Sequence, residues 1–109
     1  MSYFCELENR EAKEIFPGAR IRTFWANQML LSIVDLDANA VVPSHFHHHE
    51  QAGTVLSGEL ELTIAGETRL LQPGDAYLIP GGIEHSARTG VAAARALEVF
   101  SPVREEYQY

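Results

Sequence analysis

Pro43-Ser44-His45-Phe46-His47-His48-His49-Glu50-Gln51 is the stretch that decides how this chain is read. Pro43 argues against helix just upstream. If the stretch is largely extended, side chains alternate, and His45, His47 and Gln51 project to one face. A helix would instead pair residues three and four apart. Imidazole is the commonest metal-ligating side chain and an amide oxygen also binds cations, so this face predicts a metal site inside a β-structure. The fourth group comes from downstream. Gly74, five residues, Pro80, one residue, Gly82, two residues and His85 reads as an apolar strand (Ala76-Tyr77-Leu78-Ile79) entering a tight turn that presents His85. An affinity tag would be terminal and uninterrupted, and an unspecific His-rich tract would not be answered by this second segment.

Around these segments the pattern is that of short strands. Ile21–Trp25, Met29–Leu36, Gly53–Leu56, Leu60–Ile64, Thr68–Leu71, Ala76–Ile79 and Ala94–Phe100 are apolar or alternating runs separated by turn residues. Glu59-Leu60-Glu61-Leu62-Thr63-Ile64 alternates cleanly, predicting one wet and one buried face. Ala65-Gly66-Glu67, Pro73-Gly74-Asp75 and Pro80-Gly81-Gly82 are turns, and Gly58, Gly74 and Gly82 are expected to serve the backbone there. No helix-period segment follows Pro17, so the fold class is all-β, a sandwich or barrel. Glu6 to Ile15, charged and mixed, is expected to form a short helix or an irregular arm, with residues 1–20 as the N-terminal arm and residues 21–109 as the barrel domain.

Composition narrows the function classes. A chain of 109 residues forms one domain. The net charge is −7 and the basic residues are scattered, which argues against a nucleic-acid surface. No apolar run approaches the ~20 residues needed to span a bilayer, and Met1 to Arg10 lacks a signal-peptide core, so no membrane partner is expected. Cys5 is the only cysteine, which excludes an internal disulfide and fits a reducing cytoplasm.

Taken together, the two motifs resemble those of the cupin superfamily. Its first motif is His-x-His, three or four residues, Glu, six residues and Gly; here His45, His47, Gln51 and Gly58 stand in those positions. Its second motif is matched by Gly74, Pro80, Gly82 and His85, and 15 residues, Glu59 to Pro73, separate the two. The resemblance implies a double-stranded β-helix, a jelly-roll β-barrel. Gln51 departs from the general motif. Three neutral histidines and an amide leave about two positive charges uncompensated around a divalent ion, which favours an anionic, carboxylate-bearing small molecule as ligand. Metal identity among Zn, Ni, Fe, Mn and Cu is not readable from such ligands.

The histidine segment, Gly74-Asp75-Ala76-Tyr77 and the tail Glu98 to Tyr107 look like the small pectin-degradation cupins of the KdgF type. That resemblance implies opening of unsaturated uronates from pectin or alginate to linear keto-deoxyuronates. Carried over by position, His45, His47, Gln51 and His85 hold the metal. Glu98 supplies an acid, Phe100 an aromatic wall and Arg104 a carboxylate-binding cation. Those relatives carry Asp where this chain has Glu98, which displaces the carboxyl by a methylene.

Each supporting residue has a plainer reading beside it. Leu97 and Val99 share one face of their strand and Glu98 and Phe100 the other, so Glu98 faces either the interior or solvent. Arg104 either reaches a ligand or pairs with Glu105 or Glu106 at the surface. Tyr77, Trp25 and Phe24 serve the core or an interface, or stack on a ligand. His49 follows His45 and His47 in phase, as a group orienting a ligand or a residue of the rim. Two other functions compete with the sugar-acid lyase or isomerase: a metal-dependent dioxygenase and a non-catalytic binding cupin. The resemblance also implies a homodimer, with Ile21–Trp25 among the segments that would cover a sheet edge.

Overall fold

A computed structural model describes residues 3–109. The chain forms ten strands: β1 (Lys13–Phe16), β2 (Ala19–Trp25), β3 (Leu30–Leu36), β4 (Val41–His45), β5 (Glu50–Ser57), β6 (Leu60–Ile64), β7 (Glu67–Leu71), β8 (Ala76–Ile79), β9 (His85–Arg88) and β10 (Ala94–Ser101). They build a six-stranded sheet, β1-β2-β3-β10-β5-β8, and a four-stranded sheet, β4-β9-β6-β7, with every pairing antiparallel. Single 3-10 turns at Leu7–Asn9 and Glu105–Tyr107 are the helical segments among the described residues. None is long and apolar enough to cross a membrane.

The seven expected strands are present, with ends shifted by up to three residues. Three more escape the sequence reading. β1 is charged and short, and β9 (His85-Ser86-Ala87-Arg88) carries no large apolar side chain, so neither shows period-two hydrophobicity. β4 matters most. The segment Pro43–Gln51 is not one extended face: β4 ends at His45, a turn follows, and β5 opens at Glu50 in the other sheet. Alternation therefore does not bring His45, His47 and Gln51 together; the closing of two sheets does. The expected arm also divides. Its first two residues lie outside the described ones, residues 13–16 are the edge strand β1, and the turn at Leu7–Asn9 is the only helical piece described there.

Ladder register stacks the inward side chains of the six-stranded sheet in rows. Ile21, Val34, Ala96 and Val55 pair across β2, β3, β10 and β5 as an apolar row. The next inward row is polar: Thr23, Ser32, Glu98, Gly53 and Tyr77 pair across β2, β3, β10, β5 and β8. Above it, Trp25, Leu30, Phe100, Gln51 and Ile79 are paired in turn. Leu60, Leu62 and Leu71 of the four-stranded sheet close the core from the other side. Burying side chains such as Ile21, Leu30, Val55 and Ile79 stabilises by about 1.5–3 kcal/mol each.

Candidate metal centre

His45 ends β4 and His85 begins β9, and the two are ladder partners at the edge of the four-stranded sheet. Their ring centroids lie 4.3 Å apart. His47, in the turn between β4 and β5, brings its ring 5.0 Å from that of His85 and 5.8 Å from that of His45. One ring nitrogen from each of the three lies within 4.8 Å of the others, an arrangement able to hold a metal ion.

Backbone carbonyls set the tautomers. His45 Nδ1 lies 2.8 Å from the Pro43 carbonyl, His85 Nδ1 2.8 Å from that of Ile83, and His47 Nδ1 3.1 Å from that of His49. A carbonyl only accepts, so each Nδ1 carries the proton and each Nε2 keeps its lone pair. His85 Nε2 is buried with no hydrogen-bond partner. His47 Nε2 faces Gln51 Oε1 at 3.2 Å. Burial first, then the charges of Arg104 and His85, push His47 down to about 4, so its ring is neutral at pH 7. Two acceptors thus face each other across 3.2 Å, an arrangement that a cation between them would satisfy and a hydrogen bond would not. His85 is lowered for the same first reason. The residues present fit a divalent metal.

Gln51 is oriented from behind. Its Nε2 donates to Glu98 Oε2 at 2.5 Å, and the Tyr77 hydroxyl donates to the same oxygen at 2.7 Å. Glu98 faces the interior between Ala96 and Phe100, and burial raises its pKa against the opposing pull of the Tyr77 and Gln51 hydrogen bonds. A cavity between the sheets is lined by His45, His85, Gln51, Glu98, Tyr77 and Arg104 among others.

The remaining residues take distinct places. Phe100 is 1% exposed and packs edge-on against His47, with ring centroids 5.7 Å apart, so it supports the site from beneath. His49 is buried beside His48, at 3.9 Å between rings, and its carbonyl orients His47. Arg104 does pair with Glu106, at 2.5 Å, yet its side chain is only 11% exposed. The guanidinium lies 3.9 Å over the Tyr107 ring and 5.1 Å over Phe100. Trp25 is exposed at the end of β2 and does not line the cavity.

Tyr107, for which the sequence alone implies no role, also lines the cavity. Thr23 Oγ1 donates to the Tyr107 carbonyl at 2.5 Å, and the Tyr109 hydroxyl donates to the Ile21 carbonyl at 3.0 Å. Arg10 lies 3.8 Å over the Tyr109 ring. These contacts tie the C-terminal tail to β2 and hold Arg104 over the barrel mouth. Aromatic residues spaced two apart in a terminal tail were the only sequence signal for this latch.

The family model for the cupin domain, Cupin_2, matches residues 32–100. The chain belongs to the cupin family. The pectin degradation protein KdgF of Dickeya dadantii is 29% identical over 84 residues, 76% of each chain. Among solved structures, KdgF from Halomonas sp. superposes with a TM-score of 0.91 and 27% identity, covering 99% of this chain and 100% of that one. An RmlC-like cupin from Shewanella frigidimarina gives a TM-score of 0.92 over 99% of this chain and 97% of that one; at 24% identity it supports the fold alone. The jelly-roll barrel of this cupin is thereby established, with a three-histidine candidate metal site at its mouth.

Proposed function

We propose that this cupin binds one divalent transition metal through His45, His47, Gln51 and His85 and opens the ring of unsaturated uronates to linear keto-deoxyuronates. The observation carrying this reading is one ring nitrogen from each of three histidines within 4.8 Å of the others, with the Gln51 amide oxygen 3.2 Å from His47 Nε2, beside an interior carboxyl group and a sheltered arginine. The likeness to KdgF proteins supplies the substrate class.

The reaction is an isomerisation in which every atom is conserved. The C1 hydroxyl loses its proton and becomes the carbonyl as the bond between C1 and the ring oxygen breaks; the resulting enolate at C5 takes one proton at C4 to become a ketone. A bound divalent ion supplies Lewis-acid stabilisation of oxygen charge. Arg104 binds the uronate carboxylate, oriented by the Phe100 and Tyr107 rings beneath its guanidinium. Glu98 carries the proton. Both hydrogen bonds it accepts from Gln51 and Tyr77 go to Oε2, which leaves Oε1 to exchange a proton with substrate. Tyr107, raised to about 12 chiefly by burial, stays a neutral hydroxyl at the cavity wall.

The test is metal content of the untagged protein, then incubation with a 4,5-unsaturated uronate while the absorbance of its conjugated double bond is followed. Stoichiometric metal with accelerated loss of absorbance is the expected result, abolished in Glu98→Ala at saturating metal. Metal without turnover would remove the substrate assignment, and substrate-dependent oxygen uptake would replace it with a dioxygenase. In solution, a second copy covers the outer face of the six-stranded sheet, where Leu31, Ile33, Leu97 and Val99 face outward and Leu78 is 78% exposed. Light scattering giving a dimer mass at micromolar concentration checks this.

A further inference from the structure

Gly53 sits on β5 between two inward-facing ladder partners, Tyr77 on β8 and Glu98 on β10. A Cβ placed on Gly53 would lie 2.5 Å from the Tyr77 hydroxyl oxygen and would overlap the ring itself. The missing side chain is therefore a slot. The phenol lies across β5 through it and its hydroxyl reaches Glu98 Oε2 on the strand beyond. A glycine inside a central strand weakens the strand, and one reason to find it there is such a close approach. Tyr77 is 8% exposed, and this is the hydrogen bond its hydroxyl makes.

A carboxamide has a donor end and an acceptor end, and turned by 180° the Gln51 NH2 would point at a bound cation and repel it. Glu98 Oε2 accepts from Gln51 Nε2, which turns the NH2 inward to Glu98 and Oε1 toward His47. That choice survives protonation of Glu98, because a proton on Oε1 leaves Oε2 an acceptor.

We propose that Tyr77, seated on Gly53, is a positioning residue for the metal site: through Glu98 it locks the Gln51 amide with its oxygen toward the histidines. The proposal rests on the reading that these four residues hold a cation, and its test has one part that needs no metal. In metal-free protein labelled with 15N, the Gln51 side-chain amide, assigned by its loss in Gln51→Ala, is expected to show one downfield proton protected from exchange. Tyr77→Phe keeps the ring in its slot and should abolish that protection. Gly53→Ala, which expels the ring, should do the same, with circular dichroism confirming the fold of both.

Zinc affinity, read by competition with a chromophoric chelator, should then fall about tenfold in Tyr77→Phe, the scale of losing an outer partner of a metal ligand. In a Gln51→Ala background the same substitution should have no effect. Equal losses in both backgrounds, or a Gln51 amide indifferent to Tyr77→Phe, would overturn the proposal. A locked amide in a protein that binds no metal would instead overturn the metal assignment and leave the Tyr77 lock standing.

Discussion

The two sides of the barrel mouth are held by different means. On the four-stranded side, the rings of His45 and His85 are fixed by backbone carbonyls two residues upstream, and His47 by one two residues downstream. On the six-stranded side, Gln51 is fixed by a chain of side chains, Glu98 and then Tyr77, passing over Gly53. A backbone acceptor is present whatever the side chain at its position, whereas a relay through side chains is lost with any one member. The histidine half should therefore tolerate changes around it, and the carboxamide half should not.

The largest effect should come from removing a ligand. His85→Ala is expected to lower zinc affinity by more than about 100-fold, beyond the roughly 10–100-fold cost of losing an outer partner alone. Next comes Glu98→Asp. Shortening the carboxyl by one methylene withdraws it from Gln51 and Tyr77, and chelator competition should show a loss of about tenfold. Substitution on the histidine side gives the contrast. Ser44 flanks His45 and donates to Glu84 at 2.5 Å on the exposed surface. Ser44→Ala should change zinc affinity by less than about twofold and stability by less than about 1 kcal/mol, since the acceptor for His45 is the Pro43 carbonyl. A tenfold loss in that variant would break the distinction between the two halves.

The smallest effect lies within the polar row itself. Ser32 Oγ is buried without a hydrogen-bond partner although Ser32 is the ladder neighbour of Glu98. Ser32→Ala removes an unsatisfied group and should leave stability unchanged or raise it by up to about 1 kcal/mol in thermal unfolding. A clear destabilisation would mean that the hydroxyl takes part in the Glu98 network.

Legibility in the sequence followed the same physical division. Strands with one apolar and one polar face, such as Leu60–Ile64, announce themselves by alternation. β9 does not, because it is made of small and polar residues held between β4 and β6 by backbone pairing, with only His85 fully buried. The turns were readable because Pro80-Gly81-Gly82 is compatible with few conformations. What that turn contacts was not readable. Gly82 N donates to the His47 carbonyl at 2.8 Å, and a Cβ on Gly81 would collide with the His48 carbonyl oxygen. This packing brings the two histidine motifs into one site.

By itself the sequence determined an all-β chain, the residue types for a metal site and the spacing that resembles a cupin, because period-two hydrophobicity, turn residues and ligand chemistry are local properties. Only the tertiary structure decided that His45 and Gln51 come from opposite sheets and that Glu98 stands behind Gln51. It also decided that Arg104 is sheltered by a tail tied to β2. These are relations between strands distant in sequence, fixed by ladder register and sheet closure, and no local pattern encodes them.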